Sequence, residues 1–123
     1  MTHFIYHITS QTEWSDAQKQ GTYSPNSLRS NGFIHCSKLD QILRVANSFF
    51  IYQHGLVILV IDPSELGTNL RWEAGADKVD EYFPHIYGPL NSDAVLEVIE
   101  FEPGVDGRFL LPQSLTAFHN DPL

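Results

Sequence analysis

Three histidines lie within short apolar, strand-like segments of this chain, at His7, His35 and His85. An imidazole near neutral pH can exchange a proton, hydrogen-bond a sugar or phosphate, or bind a metal ion. A single histidine in such surroundings is usually satisfied by a backbone carbonyl in or near the core. Because three occur in similar surroundings, we take them together as candidate catalytic residues.

Two further polar residues could act with these imidazoles. Thr9 follows His7 by two positions, so the strand period places both on one face, as a pair for hydrogen-bonding a sugar or phosphate. The alternative for that pair is a solvent-facing edge strand. Glu73 is a candidate general base or the charge partner of a histidine, and the alternative is a surface ion pair with Arg71.

Other candidate ligand contacts lie where elements meet. Ser37 closes the apolar run that contains His35 and precedes a predicted helix, whose free amides favour an anionic group. Tyr87 and Gly88 are predicted to form an aromatic wall followed by a close backbone approach to a ligand, with a plain turn as the alternative. Cys36 points away from His35 and is predicted to be a small core hydrophobe rather than a nucleophile.

The elements that position these residues follow from sequence periodicity. Alternation over residues 4–9 predicts a strand, and Ser10 with Glu13 predicts a capped helix that stops at Gly21. Residues 22–31 are predicted to form a polar loop. After a strand over 33–37, a capping-box-like start at residues 37–40 opens a second helix ended by Gly55, and its apolar stripe comprises Leu39, Ile42, Leu43, Ala46, Phe49 and Phe50.

The remaining segments read as strands. Residues 56–61 are continuously apolar, as in a central strand covered on both faces. Shorter strands are predicted at 70–73, around 83–87 and at 95–101. Two helices and five or six strands that do not alternate regularly indicate an α+β domain rather than a doubly wound sheet.

Length and composition narrow the class of protein. The 123 residues suffice for one domain, which we place at residues 1–111 with a loosely ordered tail at 112–123. Seven scattered basic residues against fifteen acidic ones give a net charge of −8, which argues against sequence-independent binding of nucleic acid. With one cysteine, no leader-like start and no apolar run long enough to cross a bilayer, we expect a cytoplasmic protein that does not enter membranes.

Common catalytic signatures are missing from the sequence. There is no G-x-G-x-x-G, no G-x-x-x-x-G-K-[ST], no G-x-S-x-G and no H-E-x-x-H. The three histidines and Glu73 could ligate zinc in principle, but their wide spacing is a weak signal, and we assign no metal site.

Three motifs carry a resemblance to a known family. Over roughly residues 3–103, the segments 5–9, 32–37 and 83–89 occur in the order and approximate spacing of the bacterial family catalogued as domain of unknown function 952, which the chain resembles. That family is in turn similar in layout to the ADP-ribosyltransferase superfamily, whose split sheet binds NAD in a central cleft. The resemblance implies a split, mixed or antiparallel sheet with two main helices.

The resemblance also implies roles for particular residues. His7, with Thr9, matches the first-strand histidine that holds the NAD ribose, and residues 32–37 match a Gly-x-aromatic element that runs into a helix. In many members of the superfamily, a tyrosine in this element stacks on nicotinamide. The resemblance implies that His35 takes the place of that tyrosine, as a histidine does in the branch related to RNA 2′-phosphotransferases. The best-known transferases have a glutamate on a late strand, and no residue here is assigned to that position. Glu73 lies too early in the chain, and Glu97 matches only in that it lies on a predicted strand.

These observations lead to three hypotheses. The first is a domain that binds NAD or ADP-ribose, with transferase or glycohydrolase activity. The second is a metal-dependent hydrolase that uses the histidines and Glu73, and the third is a nucleotide-binding module without catalysis. The candidate catalytic residues are His7, His35, His85 and Glu73, and the candidate cofactor-binding residues are His7, Thr9, His35, Ser37, Tyr87 and Gly88.

Overall fold

The computed structural model describes residues 3–75 and 80–115. In chain order its elements are β1 (Ile5–Ser10), α1 (Gln11–Gln20), β2 (Thr22–Tyr23), α2 (Ser27–Ser30), β3 (Ile34–His35), α3 (Leu39–Phe49), β4 (Leu56–Ile61), β5 (Asn69–Ala74), β6 (Tyr82–Tyr87), β7 (Leu90–Asn91) and β8 (Val95–Phe101). Short 3-10 helices, Pro63–Glu65 and Ser92–Ala94, precede β5 and β8.

The strands form a split sheet. One part has the order β1-β4-β8, a second has the order β3-β6-β5, and β2 pairs with β7. A single bridge between Tyr6 and Ser37 joins the first two parts. Every strand pairing within residues 3–75 and 80–115 is antiparallel, so the sheet is not mixed. The predicted α+β class is confirmed, and α1 and α3 are the two long helices of the described residues.

The central strand β4 is buried along its whole length, as its apolar run predicts. Its alternate side chains enter two separate clusters. The first cluster lies between α1 and the strands, and it includes Trp14, Ile5, Leu59, Ile34 and Ile86. The second lies on the other side of β4, beneath α3, and includes Ile42, Ala46 and Phe109.

The two long helices follow their sequence signals closely. Ser10 caps α1 by accepting a hydrogen bond from the Glu13 amide, and Gly21 ends the helix with φ of +82°. In α3 the predicted stripe faces the second cluster, except that Phe49 is 63% exposed. The 3.6-residue period therefore predicts the helix correctly but misplaces one side chain at its end.

The start and end of α3 differ from prediction. The Ser37 amide and carbonyl both pair with Tyr6, at 2.8 and 2.9 Å, which holds Ser37 in an extended connection. The helix is therefore capped one residue later, where the Lys38 amide donates to Oε1 of Gln41 at 2.9 Å. It ends at Phe49 rather than near Gly55.

The short strands and the chain end also refine the prediction. The strand expected over 33–37 is reduced to β3, while β2, β7 and α2 lie in segments read as loops or turns, giving eight strands in the described residues. Of the predicted tail, Leu115 is buried in the second cluster, and residues 116–123 lie outside the described residues, as do residues 76–79. No helix in the described part of the chain is long and apolar enough to span a membrane.

Candidate functional site

The sheet β3-β6-β5 has one apolar face and one face that carries polar and aromatic side chains. Ile34, Ile86 and Leu70 are cross-strand neighbours that turn into the first cluster. By the two-residue period, the intervening positions turn the other way. They form what we call the imidazole face, which consists of Phe33, His35, Arg71, Glu73, Phe83, His85 and Tyr87.

Aromatic rings pack closely on the imidazole face. The Phe33 ring stacks on His85 with centroids 4.0 Å apart and planes at 17°. It also contacts His35 at 4.7 Å and Tyr87 at 5.3 Å, and the two imidazoles are 5.7 Å apart at 73°. The Arg71 guanidinium carbon lies 4.6 Å from the Tyr87 ring centroid, a cation-π contact. Phe33 is therefore the centre of this ring cluster.

Glu73 is the polar partner of His85. Its Oε1 accepts hydrogen bonds from His85 Nδ1 at 2.8 Å and from the Tyr87 hydroxyl at 2.6 Å. These bonds lower the pKa of Glu73 and raise the pKa of Tyr87. Because an ionised carboxylate only accepts, the proton is on Nδ1, and a neutral His85 keeps a lone pair on Nε2. The hydrogen bond to His85 fits the predicted role of Glu73 as the partner of a histidine, and its action as a general base stays a prediction.

His7 and Thr9 lie on the same face of β1 and share one partner, Tyr23. His7 Nδ1 is 2.6 Å from the His35 carbonyl and Nε2 is 2.8 Å from the Tyr23 hydroxyl, which in turn is 2.9 Å from Thr9 Oγ1. The shared face is confirmed, but the solvent-facing alternative is wrong, since His7 is 9% and Thr9 5% exposed.

The direction of donation along these three hydrogen bonds follows from the His35 carbonyl at one end. The His35 carbonyl can only accept, so His7 Nδ1 donates, and burial lowers the pKa of His7 to about 4, which leaves the ring neutral at neutral pH. Nε2 must then accept from Tyr23, whose oxygen accepts from Thr9. Burial raises the pKa of Tyr23, so the phenol remains a donor.

A single cleft brings most of the predicted site residues together. It has a volume of about 770 Å³, and its lining includes His7, Thr9, His35, Ser37 and His85. Glu73 reaches it only through His85, while Tyr87 and Gly88 are not among its lining residues. The predicted histidines thus converge, although they come from β1, β3 and β6.

Comparison with known proteins assigns this arrangement to a family. The model of the family described as "Protein of unknown function (DUF952)" matches residues 8–98. The chain belongs to the DUF952 family. The crystal structure of protein CC0527 from Caulobacter crescentus is 33% identical, with a TM-score of 0.81, over 92% of this chain and 98% of that one. Its solution NMR structure is also 33% identical, with a TM-score of 0.75, over 93% and 95%. Curated proteins give no match.

In this DUF952 chain, packing against another side chain of the same chain explains why position 88 is a glycine. Its φ is +147°, and a Cβ at this position would lie 2.6 Å from Thr68 Cγ2. The predicted close approach at Gly88 is present, but its partner is the Thr68 side chain rather than the cleft.

The metal-ligand set proposed from the sequence does not assemble. Among the described residues no three His, Cys, Asp or Glu side chains are placed to hold one metal ion. Both ring nitrogens of His7 already have protein partners, and Glu73 Oε1 and His85 Nδ1 are bonded to each other. Cys36 is buried, and burial raises the pKa of its thiol, which confirms its reading as a core hydrophobe.

Several site residues were not predicted. Phe33 shares a face with His35 by simple alternation, so the strand period contained the signal. Tyr23 and Asn31, which is 3.3 Å from His35 Nε2, lie in the segment read as a polar loop, where no period applies. His35 itself is exposed on the cleft. Its pKa is lowered mainly by the partial burial of the ring and to a smaller extent by the neighbouring His85.

Proposed function

We propose that the cleft of this DUF952 protein binds a nucleotide of the NAD or ADP-ribose class. The observation that carries the proposal is the ring cluster of Phe33, His35 and His85, which forms one wall of a cleft of about 770 Å³. Ligand sites commonly have about 300 to 1,000 Å³, and flat ligand rings stack on aromatic walls. The hydroxyl of Ser37, elsewhere in the lining, suits a ribose or phosphate oxygen.

Among nucleotides, the motif likeness to the ADP-ribosyltransferase superfamily supports NAD. That likeness rests on His7 with Thr9 in the first strand and on residues 32–37, which run into a helix. In this proposal, the oxidised nicotinamide ring lies against the imidazole face, where the carboxylate of Glu73 favours a positively charged ring. The reaction would be transfer or hydrolysis at the ribosyl carbon.

The proposal changes the role of His7. Its ring is held between the His35 carbonyl and Tyr23, so it fixes the backbone that carries His35 rather than offering a free nitrogen. We therefore propose His7, Thr9 and Tyr23 as positioning residues, and His35 and Ser37 as ligand contacts.

Isothermal titration calorimetry tests the proposal with NAD, ADP-ribose and nicotinamide. We expect NAD to bind more tightly than ADP-ribose, because ADP-ribose lacks the ring that would stack. Phe33→Ala should weaken NAD binding about tenfold, the loss of one aromatic stacking contact. Tyr82→Ala is the matched control, because Tyr82 is an exposed aromatic on β6 outside the cleft lining. Absence of heat with all three ligands at millimolar concentration would show that the proposal is wrong.

The non-catalytic alternative keeps the same cleft and differs only in turnover. Incubation with NAD and chromatographic detection of free nicotinamide separates the two. Release that His35→Ala abolishes supports catalysis, whereas binding without release supports a binding module.

A further inference from the structure

We propose that His85 is the proton acceptor of the cleft, with Nε2 taking a proton from the attacking hydroxyl or water while Glu73 holds the ring. The identity of the substrate rests on the proposed function, but the chemistry of the imidazole does not. Glu73 and Tyr87 are positioning residues in this proposal, since neither is among the residues that line the cleft.

Among the residues that the structure describes, only one ring nitrogen of His85 has a hydrogen-bond partner, and the ring is held in one orientation. Nδ1 donates to Glu73, and the flat face of the ring is stacked on Phe33 at 4.0 Å. The first contact sets which nitrogen carries the proton, and the second restricts rotation of the ring. The side chain is only 8% exposed, yet His85 lines the cleft. A fixed tautomer with an accessible Nε2 is what general-base catalysis requires.

Glu73 itself is held in place from a second direction. The Tyr87 hydroxyl donates to the same oxygen that accepts from His85. The carboxylate is therefore oriented towards the imidazole and carries a negative charge that favours the imidazolium formed by proton transfer.

Charged and titratable groups from each neighbouring strand act on His85. On β5, Glu73 favours the protonated ring, while Arg71, the cross-strand neighbour of His85, opposes it. On β3, His35 lies across the strand pair and opposes a second positive charge. On β6, Tyr87 acts through Glu73. Of these groups, the Glu73 carboxylate is the one at hydrogen-bond distance from the ring.

With NAD as substrate, the step balances as follows. The acceptor oxygen forms a bond to the anomeric carbon of the ribosyl group while the bond from that carbon to the nicotinamide nitrogen breaks. The electron pair of the broken bond stays on that nitrogen and cancels its positive charge. The proton of the acceptor moves to His85 Nε2 and then to solvent.

The first measurement concerns the imidazole and needs no substrate. Long-range proton-nitrogen NMR of labelled protein reports which ring nitrogen carries the proton. We expect His85 in the Nδ1-protonated form, and in Glu73→Gln we expect that tautomer to lose its preference. A wild-type His85 protonated on Nε2 at neutral pH would overturn the proposal.

The second measurement concerns reactivity of Nε2, with diethyl pyrocarbonate as the probe. This reagent acylates unprotonated imidazole nitrogens, and peptide mass analysis locates the modified histidine. We expect acylation of His85 to slow about fivefold or more in Glu73→Gln, since the carboxylate no longer makes the ring electron-rich. Glu97→Gln, on an exposed position of β8, is the matched control and should react as wild type does. An unreactive His85 in the wild-type protein would also overturn the proposal.

The third measurement is NAD cleavage, which separates this proposal from the proposed function. We expect His85→Gln to lower the single-turnover rate by 10²-fold or more, within the range of general-base contributions, while NAD affinity changes little. Glu73→Gln should lower the rate less than His85→Gln does, because Glu73 acts only by positioning the ring. Cleavage at the wild-type rate in His85→Gln refutes the base assignment. If NAD does not bind but the tautomer and the reactivity of His85 are as expected, the proposed nucleotide is wrong and the role of His85 as proton acceptor stands.

Discussion

His7 and His85 are both buried, and their hydrogen bonds give them different capacities. Both ring nitrogens of His7 are used, by the His35 carbonyl and by Tyr23. Within residues 3–75 and 80–115, His85 has a partner for Nδ1 alone, which is Glu73, and it lines the cleft. The side chain is the same, so its partners decide whether a histidine is structural or reactive.

The neutral His7 predicts a pH-dependent stability. Its pKa is about 4 in the folded protein against 6.5 in the unfolded chain, so the unfolded state binds a proton first as pH falls. Stability is therefore complete above the unfolded value and is lost as pH falls from about 6.5 towards 4. We expect the free energy of unfolding to fall by about 2 kcal/mol between about pH 7 and about pH 4.5. Urea unfolding at these two pH values measures it.

Two variants assign this loss to His7. His7→Gln should remove most of the pH dependence, whereas His3→Gln, at an exposed position, should retain it. His35 contributes in the same direction, since its pKa is also lowered. The pKa values of Glu73 and Glu102 are lowered by their hydrogen bonds, so most of the effect of these carboxyl groups on stability falls below this pH range. An unchanged pH dependence in His7→Gln would contradict the assignment.

At the scale of elements, Gln41 connects α3 to the strand that carries His85. Its Oε1 accepts from the Lys38 amide at 2.9 Å, and its Nε2 donates to the Tyr82 carbonyl at 2.9 Å and to Glu81 at 3.0 Å. The side chain is 1% exposed. One buried amide thus caps the helix and fixes the beginning of β6.

Gln41→Glu keeps the shape of the side chain and removes both donors. A carboxylate would then face the Tyr82 carbonyl and the Glu81 carboxylate, so we expect a loss of about 3 kcal/mol in the free energy of unfolding at neutral pH. Gln18→Glu, at an exposed position of α1, makes the same chemical change and should alter stability by less than about 0.5 kcal/mol. Equal losses in both variants would mean that added negative charge, rather than the buried contacts, is responsible.

The elements that the sequence predicts are those with enough residues to show a period. The apolar run of β4, the alternation of β1 and the stripe of α3 each span six residues or more. The strands β2 and β7 have two residues each, so no period can identify them. Their pairing is decided by distant partners, such as Leu90 for Tyr23.

For the site, the sequence predicts faces but not contacts. Strand periodicity places His7 with Thr9, and it would equally place Phe33 with His35. It contains no signal that Tyr23 would lie between His7 and Thr9, because that contact joins a loop-like segment to a strand 14 to 16 residues away. The bond between Glu73 and His85 likewise depends on the register of β5 against β6, which only the fold determines.

At the scale of the whole molecule, the second cluster determines how far the folded unit extends along the chain. Phe109 is 1% and Leu115 is 0% exposed, and both pack with α3 and β8 residues such as Ile42 and Phe101. The Phe109 backbone is also held by Asn47, whose amide group bonds its N–H and carbonyl at 2.7 and 3.2 Å. We therefore infer that the folded unit reaches at least Leu115, beyond the boundary at residue 111 expected from composition.

Truncating one leucine side chain at a time tests this boundary. Leu115→Ala removes a fully buried side chain, and the resulting cavity should lower the free energy of unfolding by about 2 to 4 kcal/mol. Leu110→Ala makes the same change at an 83% exposed position and should cost less than about 0.5 kcal/mol. Chemical denaturation measures both. If Leu115→Ala were as mild as Leu110→Ala, the second cluster would be closed without Leu115, and the folded unit would end near residue 111 as the composition suggests.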